Sequence, residues 1–482
     1  MRSWNWLACL GPLALYAATA GCNPDPLINP NLTDGGMQAP AFINFVHAAT
    51  DVQVLDVYID QQKQFSALGY RKNTGNKQIT AMAHQVDLRR AGDPATSPPL
   101  LTASLNLLPG SKTLITALGR AGDAGGPNRL QLVAAPYGTT DAKSVKLRLL
   151  NAALAAPAVN LVAGSNALTD AVAFAGTSGY GAVAQLPVAT KFGLRPARTL
   201  SDLVSVTLPA MASPGDVLTV IALGEIDPLS DDQHFLAASV VDEGSGALVD
   251  LPLSINEGGP KGSLYIVHAA PDAPAVDVVI DKSGTSLTGL AYKDASKLVE
   301  LAPGRYPVAV RPAGTMNTVL QATLKVLPGL HWTLLAHGLV SGGSGTPLRV
   351  SALPRPIAAQ TSWRLANLVP DAALLDTIEA DPPLEVAYGQ ASSVLAAALP
   401  SPVLSVQLGD RSTPGWNIDV PQMVLDAAQG QLVTVVATGT IKDAMKPLTV
   451  LAVLDNSATA LMAAQVLPLT ITPIHVRLTA AR

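Results

Sequence analysis

The sequence predicts an all-β protein: a tandem array of four β-sandwich domains behind an amino-terminal signal segment. Three observations carry this expectation: one set of motifs recurs four times in the same order, each copy contains short alternating strands, and turn residues are spread along the whole chain. With 482 residues, the chain is too long for one compact core and long enough for three or four domains of ordinary size. Hydrophobic residues make up 48% but aromatics only 4%, so the cores are filled mainly by Ala, Val and Leu. The 39 glycines and 38 prolines are dispersed rather than gathered in one tract, which is the punctuation of strands and not of low-complexity disorder.

The first element is a secretion signal. Arg2 gives a minimal positive start, and Leu7 to Ala18 form an apolar stretch too short for a good membrane span. Thr19-Ala20-Gly21-Cys22 resembles a bacterial lipobox, although Thr19 stands where such motifs usually carry Leu. The resemblance implies lipidation of Cys22 and a lipid-anchored protein of the cell envelope; Asn23, where an Asp would resemble an inner-membrane retention signal, favours the outer membrane. The alternative is ordinary cleavage after Ala18-Thr19-Ala20, leaving Cys22 as a free thiol. Only Cys9 accompanies Cys22, so the exported chain forms no intramolecular disulfide and must be held by burial and hydrogen bonding. The expected organisation is a signal peptide over 1–21, a tether over 22–40, sandwiches over 41–140, 143–256, 261–358 and 361–456, and a terminal strand segment over 457–482.

The repeat supports the four sandwiches. Phe45-Val46-His47-Ala48-Ala49-Thr50-Asp51 returns 221 residues later as Ile266-Val267-His268-Ala269-Ala270-Pro271-Asp272, and Asp56-Val57-Tyr58-Ile59-Asp60 returns at the same offset as Asp277-Val278-Val279-Ile280-Asp281. Leu149-Leu150-Asn151-Ala152-Ala153 and Leu365-Ala366-Asn367, with Pro370, Asp371 and Asp376, are more diverged copies. A tyrosine follows in each, at 70, 180, 292 and 388, and an arginine closes a later strand at Arg89, Arg195 and Arg311. A glycine pair nine residues apart then appears in all four: Gly110 and Gly119, Gly215 and Gly224, Gly329 and Gly338, Gly430 and Gly439. About seven strands per ~100 residues, with turns every 8–12, is the pattern of an immunoglobulin-like sandwich. A propeller of shorter blades is the alternative.

Val267-His268-Ala269-Ala270-Pro271-Asp272-Ala273-Pro274-Ala275-Val276-Asp277-Val278, with Leu290-Ala291-Tyr292 and Val308-Ala309-Val310-Arg311-Pro312-Ala313-Gly314-Thr315, resembles the bacterial domain of unknown function 4397. The third copy is the most similar, the first next, and the other two match in outline. The resemblance implies exported or envelope-anchored proteins with tandem copies and no assigned biochemical activity.

The recurring polar cluster comprises His47, Asp51 and Asp56, then His268, Asp272 and Asp277, then Asn367, Asp371 and Asp376. One imidazole and two carboxylates form a ligand set acceptable to Zn²⁺. The same residues also suit backbone-satisfying turns. Asn at 151 and 367, Ala155 in place of the first Asp and Asn160 in place of the second favour the structural reading, because Asn replaces His as a hydrogen-bonding group but is a poor metal ligand. No metal and no cofactor is therefore expected. The arginines are expected to pair with the Asp cluster across the sandwich, and the tyrosines to pack a ring face in the core with the hydroxyl at its edge.

Catalytic signatures such as Gly-x-Ser-x-Gly, a P-loop, His-Glu-x-x-His and Cys-x-x-Cys are missing from the sequence. The net charge of −4 with no basic run argues against nucleic acid. The expectation is a non-catalytic envelope scaffold, spacer or adhesion module that meets a protein or glycan partner through loops at the domain ends; the alternative is a small-ligand or glycan-binding surface protein. At the carboxyl terminus, Pro468 and Pro473, with Leu469 and Ile471 alternating with Thr470 and Thr472, predict a strand rather than a membrane helix. Val476 to Ala481 resembles the opening strand of the second copy and is expected to cover an open sheet edge or pair with a partner.

Overall fold

The computed structural model describes residues 39–94, 96–123, 128–341, 346–355, 362–377, 385–392, 403–408, 416–419, 432–442, 447–455 and 465–473. The signal segment, Cys22 and residues 476–481 lie outside them. Among the described residues every regular element is a strand.

Copy 1 comprises β1 (Ala41–Ala49), β2 (Val54–Ile59), β3 (Gln62–Gly69), β4 (Lys77–Ile79), β5 (Ala83–Arg90), β6 (Leu101–Asn106), β7 (Lys112–Gly119) and β8 (Gln131–Pro136). Copy 2 comprises β9 (Val145–Asn151), β10 (Val159–Ala163), β11 (Asn166–Ala167), β12 (Gly181–Val183), β13 (Lys191–Pro196), β14 (Val204–Thr207), β15 (Val217–Leu223), β16 (Ala237–Asp242), β17 (Leu248–Leu251) and β18 (Leu253–Ile255). Copy 3 comprises β19 (Gly262–His268), β20 (Val276–Ile280), β21 (Thr285–Leu290), β22 (Val299–Leu301), β23 (Gly304–Pro312), β24 (Leu320–Val326), β25 (His331–His337) and β26 (Arg349–Pro354). Copy 4 comprises β27 (Ser362–Asn367), β28 (Leu374–Thr377), β29 (Glu385–Ala387), β30 (Gln390–Ala391), β31 (Val403–Leu408), β32 (Trp416–Asp419), β33 (Leu432–Thr438), β34 (Thr449–Asp455) and β35 (Gln465–Pro473).

Copies 1 and 3 share one topology. Copy 1 pairs sheets β4-β1-β7-β8 and β3-β2-β5-β6, and copy 3 repeats this as β22-β19-β25-β26 and β21-β20-β23-β24. Each has eight strands rather than the seven expected, and the first runs parallel to the seventh. Crossovers between two sheets are the arrangement of a sandwich and not of propeller blades.

Copies 2 and 4 carry an addition to this topology, which the sequence did not disclose for copy 2. After its β16 strand, copy 2 continues into β17, which pairs β16, and then past Pro252 into β18, which pairs β14 in the other sheet. Copy 4 does the same with one long strand: β35 pairs β34 through Gln465 to Leu469 and β32 through Thr470 to Pro473. The segment over 457–482, expected as a separate strand, thus contributes β35 to the fourth copy and joins its halves into one nine-stranded sheet.

The burial pattern explains a second feature. In β1, Ala41, Ile43 and Phe45 face β2 and β5 in the core of copy 1. The alternate residues Val46 and Ala48 are also fully buried, but in a separate cluster with Leu114 and Leu118 of β7 and with Leu150, Ala152, Ile221 and Leu223 of copy 2. Copies 1 and 2 therefore pack the outer faces of their β1 and β9 sheets together, giving four stacked layers. Copies 3 and 4 do likewise through Tyr265, Val267, Leu335, Ala366, Leu368, Val436 and Leu451. A strand covered on both faces carries apolar residues at adjacent positions and is buried almost throughout, as β1, β7, β9 and β15 are. Burying the seven Val, Leu and Ile side chains of the first seam contributes on the order of 10 kcal/mol gross, and the core of copy 2 runs on into that of copy 3.

Candidate functional site

The recurring His/Asn position sits near the end of the opening strand, and in all four copies it accepts the N–H two residues on and has a backbone carbonyl against its other polar atom. His47 Nε2 lies 2.7 Å from the Val52 carbonyl, and its Nδ1 accepts the Ala49 N–H at 3.3 Å. His268 repeats this with the Pro274 carbonyl at 3.1 Å and the Ala270 N–H at 3.3 Å. Asn151 accepts the Ala153 N–H at 3.2 Å and donates to the Val172 carbonyl at 3.1 Å. Asn367 accepts the Val369 N–H at 3.1 Å and donates to the carbonyls of Ala372 and Val386. A carbonyl only accepts and an amide N–H only donates, so each ring is the neutral Nε2–H tautomer. Burial holds His47 down at about 4 and lowers His268 as well. With both nitrogens occupied, neither ring is placed to act as a base or a metal ligand.

The aspartates act elsewhere. Asp51 receives the N–H groups of Ala121 and Gly122, both at 2.8 Å. Asp272 receives those of Val340 and Ser341 at 2.9 and 3.0 Å, and Asp371 those of Ile441 and Lys442 at 2.9 Å each. Each carboxylate thus clamps the loop that follows the copy's seventh strand. That strand ends on a glycine because the backbone there takes a left-handed turn, with φ of 99° at Gly119, and a Cβ would lie 2.2 Å from the Arg129 carbonyl oxygen. Asp56 receives Lys63 Nζ at 2.6 Å and the Ala67 N–H at 2.8 Å. Its burial alone would raise the carboxyl pKa, but these donors bring it below the usual range. Asp277 is likewise lowered, by the N–H groups of Gly314 and Gly289. Asp376 lies on β28 opposite Glu385 and Gln407. The cluster is therefore not brought to one point, and among the described residues no three His, Cys, Asp or Glu converge on a metal position.

The arginines also differ from expectation. Arg89 and Arg311 lie directly opposite Asp56 and Asp277 on the neighbouring strand of the same sheet, not across the sandwich. Arg195 takes Asp202 at 2.7 Å. The tyrosines lie at the seams between copies rather than at the edge of their own cores. Tyr70 of copy 1 stacks on His234 of copy 2 with centroids 5.6 Å apart, and Tyr388 of copy 4 meets His337 of copy 3 at 5.5 Å.

The seams hold the groups that sequence reasoning missed. Arg148 and Glu243 form a buried ion pair at 3.0 Å. Arg148 also donates to Thr219 at 2.8 Å and to the Pro136 carbonyl of copy 1 at 2.9 Å. Glu243 receives the Tyr180 hydroxyl at 2.7 Å and the Gly138 N–H at 2.8 Å. Both charges are thus paired and hydrogen-bonded, the condition under which a buried ion pair is tolerated. At the second seam Arg364 donates to Thr434 at 3.0 Å and to the Pro354 carbonyl at 2.6 Å, and Asp455 holds the register position of Glu243. The signal available in the sequence was the loss of period-two alternation in the first and seventh strands, where apolar residues stand on both faces, together with one arginine in the first strand of copies 2 and 4.

Comparison with known proteins places the repeat. Residues 41–162 and 262–378 match the family model of DUF4397, a domain of unknown function. Each match runs through one whole odd-numbered copy and into the first two strands of the next. No curated protein matches the chain. Among solved structures the Bacillus anthracis TIE protein is similar at 10% identity over 62% of this chain and 50% of that one, with a TM-score of 0.14.

Proposed function

Because this chain carries the DUF4397 domain in tandem, we propose that it is a non-catalytic cell-envelope protein, held at the outer membrane by a lipid on Cys22, that acts as a scaffold or spacer and meets a protein or glycan through its loops. The observation that carries this reading is the use to which the recurring polar residues are put. His47, Asp51 and Asp56, with His268, Asp272, Asp277, Asn367 and Asp371, are consumed in holding backbone, so among these residues the constellation repeated along the chain maintains shape. Fused seams support a load-bearing or spacing role over that of flexibly linked binding modules.

Cell fractionation with lipid labelling tests the anchor: Cys22→Ala should release the protein from membranes and abolish label incorporation. A glycan and metal screen on the purified chain tests the rest. Micromolar binding of a defined small ligand would replace the scaffold reading with the ligand-binding one, and stoichiometric zinc uptake lost in His268→Ala would overturn the structural assignment of the cluster.

A further inference from the structure

The ninth strand distinguishes the even copies from the odd ones, and copy 3 shows what its absence leaves. In copy 2, β17 and β18 cover the side of the sandwich between β16 and β14. Beneath them Val204, Val206 and Ala238 are fully buried, with Leu251, Leu253 and Ile255 as their cross-strand partners. The equivalent positions in copy 3 are Leu320, Ala322 and Val350, and all three are only half-buried. They line an apolar cavity whose wall is aliphatic throughout, with Leu229 of copy 2 among its lining residues. The space open to the centre of a water-sized sphere is ≈ 40 Å³, above the roughly 10–15 Å³ that one water needs, yet no polar group lines it to hold a water.

Copy 1 lacks the ninth strand too, but differs inside. Phe45 and Phe65 meet with ring centroids 6.5 Å apart, where copy 3 has Ile266 and Leu287 at the matching register positions. Its edge strands β6 and β8 also pack against each other. The cavity thus belongs to copy 3, where smaller side chains coincide with a missing strand.

We infer that the side of copy 3 between β24 and β26 is a receptor for an extended segment of another protein with aliphatic side chains at alternate positions, inserted where β17 and β18 lie in copy 2. Both flanking strands are sheet edges, whose outward N–H and C=O groups match a polypeptide and not an alkyl chain. One of these groups is already used in this manner: the Lys325 N–H on β24 donates to the Pro228 carbonyl at 2.7 Å. Side chains two residues apart on the incoming strand would enter the cavity at the spacing of Leu251 and Leu253. This inference does not depend on the lipid anchor or on the scaffold role.

The test uses a fluorescent peptide with the sequence of residues 247–256, Ala-Leu-Val-Asp-Leu-Pro-Leu-Ser-Ile-Asn, titrated into the purified full chain and read by anisotropy. Saturable one-site binding is expected, weakened at least ~10-fold in Ala322→Glu, unchanged in the copy 1 counterpart Ala103→Glu, and absent for a scrambled peptide that breaks the alternation. Ile266→Phe fills the cavity from inside with the residue copy 1 carries, and should weaken binding even if Ala322→Glu disturbs folding. No saturable binding, equal binding of the scrambled peptide, or full binding by Ile266→Phe overturns the proposal. So does competition by a fatty acid in place of peptide, or self-association in sedimentation that Ala322→Glu abolishes, since the occupant would then be a lipid or a second copy.

Discussion

His47 and Asn151 hold the same position in their respective copies and bond alike: each accepts the N–H two residues on and donates to a backbone carbonyl, that of Val52 for His47 and that of Val172 for Asn151. An imidazole and a carboxamide are interchangeable there because each offers one acceptor and one donor across a similar span. That equivalence is the direct argument against metal chemistry at the site.

Burial of the ring gives the pH response. His47 falls from 6.5 to about 4 on folding through burial, so the unfolded chain takes up a proton before the folded one does. Its stabilising contribution is complete above pH 6.5 and is lost as pH falls from 6.5 towards 4, by about 3 kcal/mol. His337, held at about 3 by burial with Arg349 adding to the effect, acts in the same sense. In His47→Asn, stability at pH 7.5 should stay within about 1 kcal/mol of the parent, and the slope between pH 6.5 and 4 should flatten. Urea unfolding across that range checks both.

Removing one half of the seam ion pair should be costly. Arg148→Met leaves the buried Glu243 carboxylate without its cation, and a loss of about 3–5 kcal/mol is expected. The double variant Arg148→Met, Glu243→Leu should recover most of it. Calorimetry of the three proteins reads the difference.

Gly246 is a second seam contact. Its carbonyl accepts Asn44 Nδ2 at 3.0 Å and Asn73 Nδ2 at 2.8 Å, its φ is 78°, and a Cβ would stand 2.7 Å from the Asn76 nitrogen. Gly246→Ala should therefore cost about 1–3 kcal/mol and speed proteolysis at the joint between the first two copies, read by limited digestion.

Asp51→Ala should free the Ala121 and Gly122 amides. A loss of about 1–3 kcal/mol is expected, with faster hydrogen exchange confined to that loop and with metal content unchanged. Mass-resolved exchange reads the first effect and elemental analysis the second.

Much of this was legible. Alternation through Val54 to Asp60 marked a strand whose Leu55, Val57 and Ile59 enter the core, and Pro468 with the Leu469 to Thr472 alternation marked β35, because period-two patterns report which face meets a core. The His, Asp and glycine landmarks gave the copies, since turn chemistry is position-specific. The seams were not legible. When both faces of a strand are apolar, as in Leu114 to Leu118, the period vanishes, and nothing in it tells which face meets the copy's own sheet and which meets a neighbour. The tyrosines were misplaced for the same reason: Tyr70 and Tyr388 fill seams whose existence the pattern hides. Nor was the ninth strand of copy 2, where Pro252 marks the passage between sheets.

The unshared ninth strand has a consequence for ancestry. Copies 1 and 3 lack it, copies 2 and 4 possess it, and the first and third copies repeat at a constant offset of 221 residues through their opening strands. A gene lengthened one sandwich at a time would have left greasy, unmatched surfaces after every odd step. The unit of repetition is accordingly the couple, an odd and an even copy joined by an apolar seam, and relatives of this protein should gain or lose such couples whole.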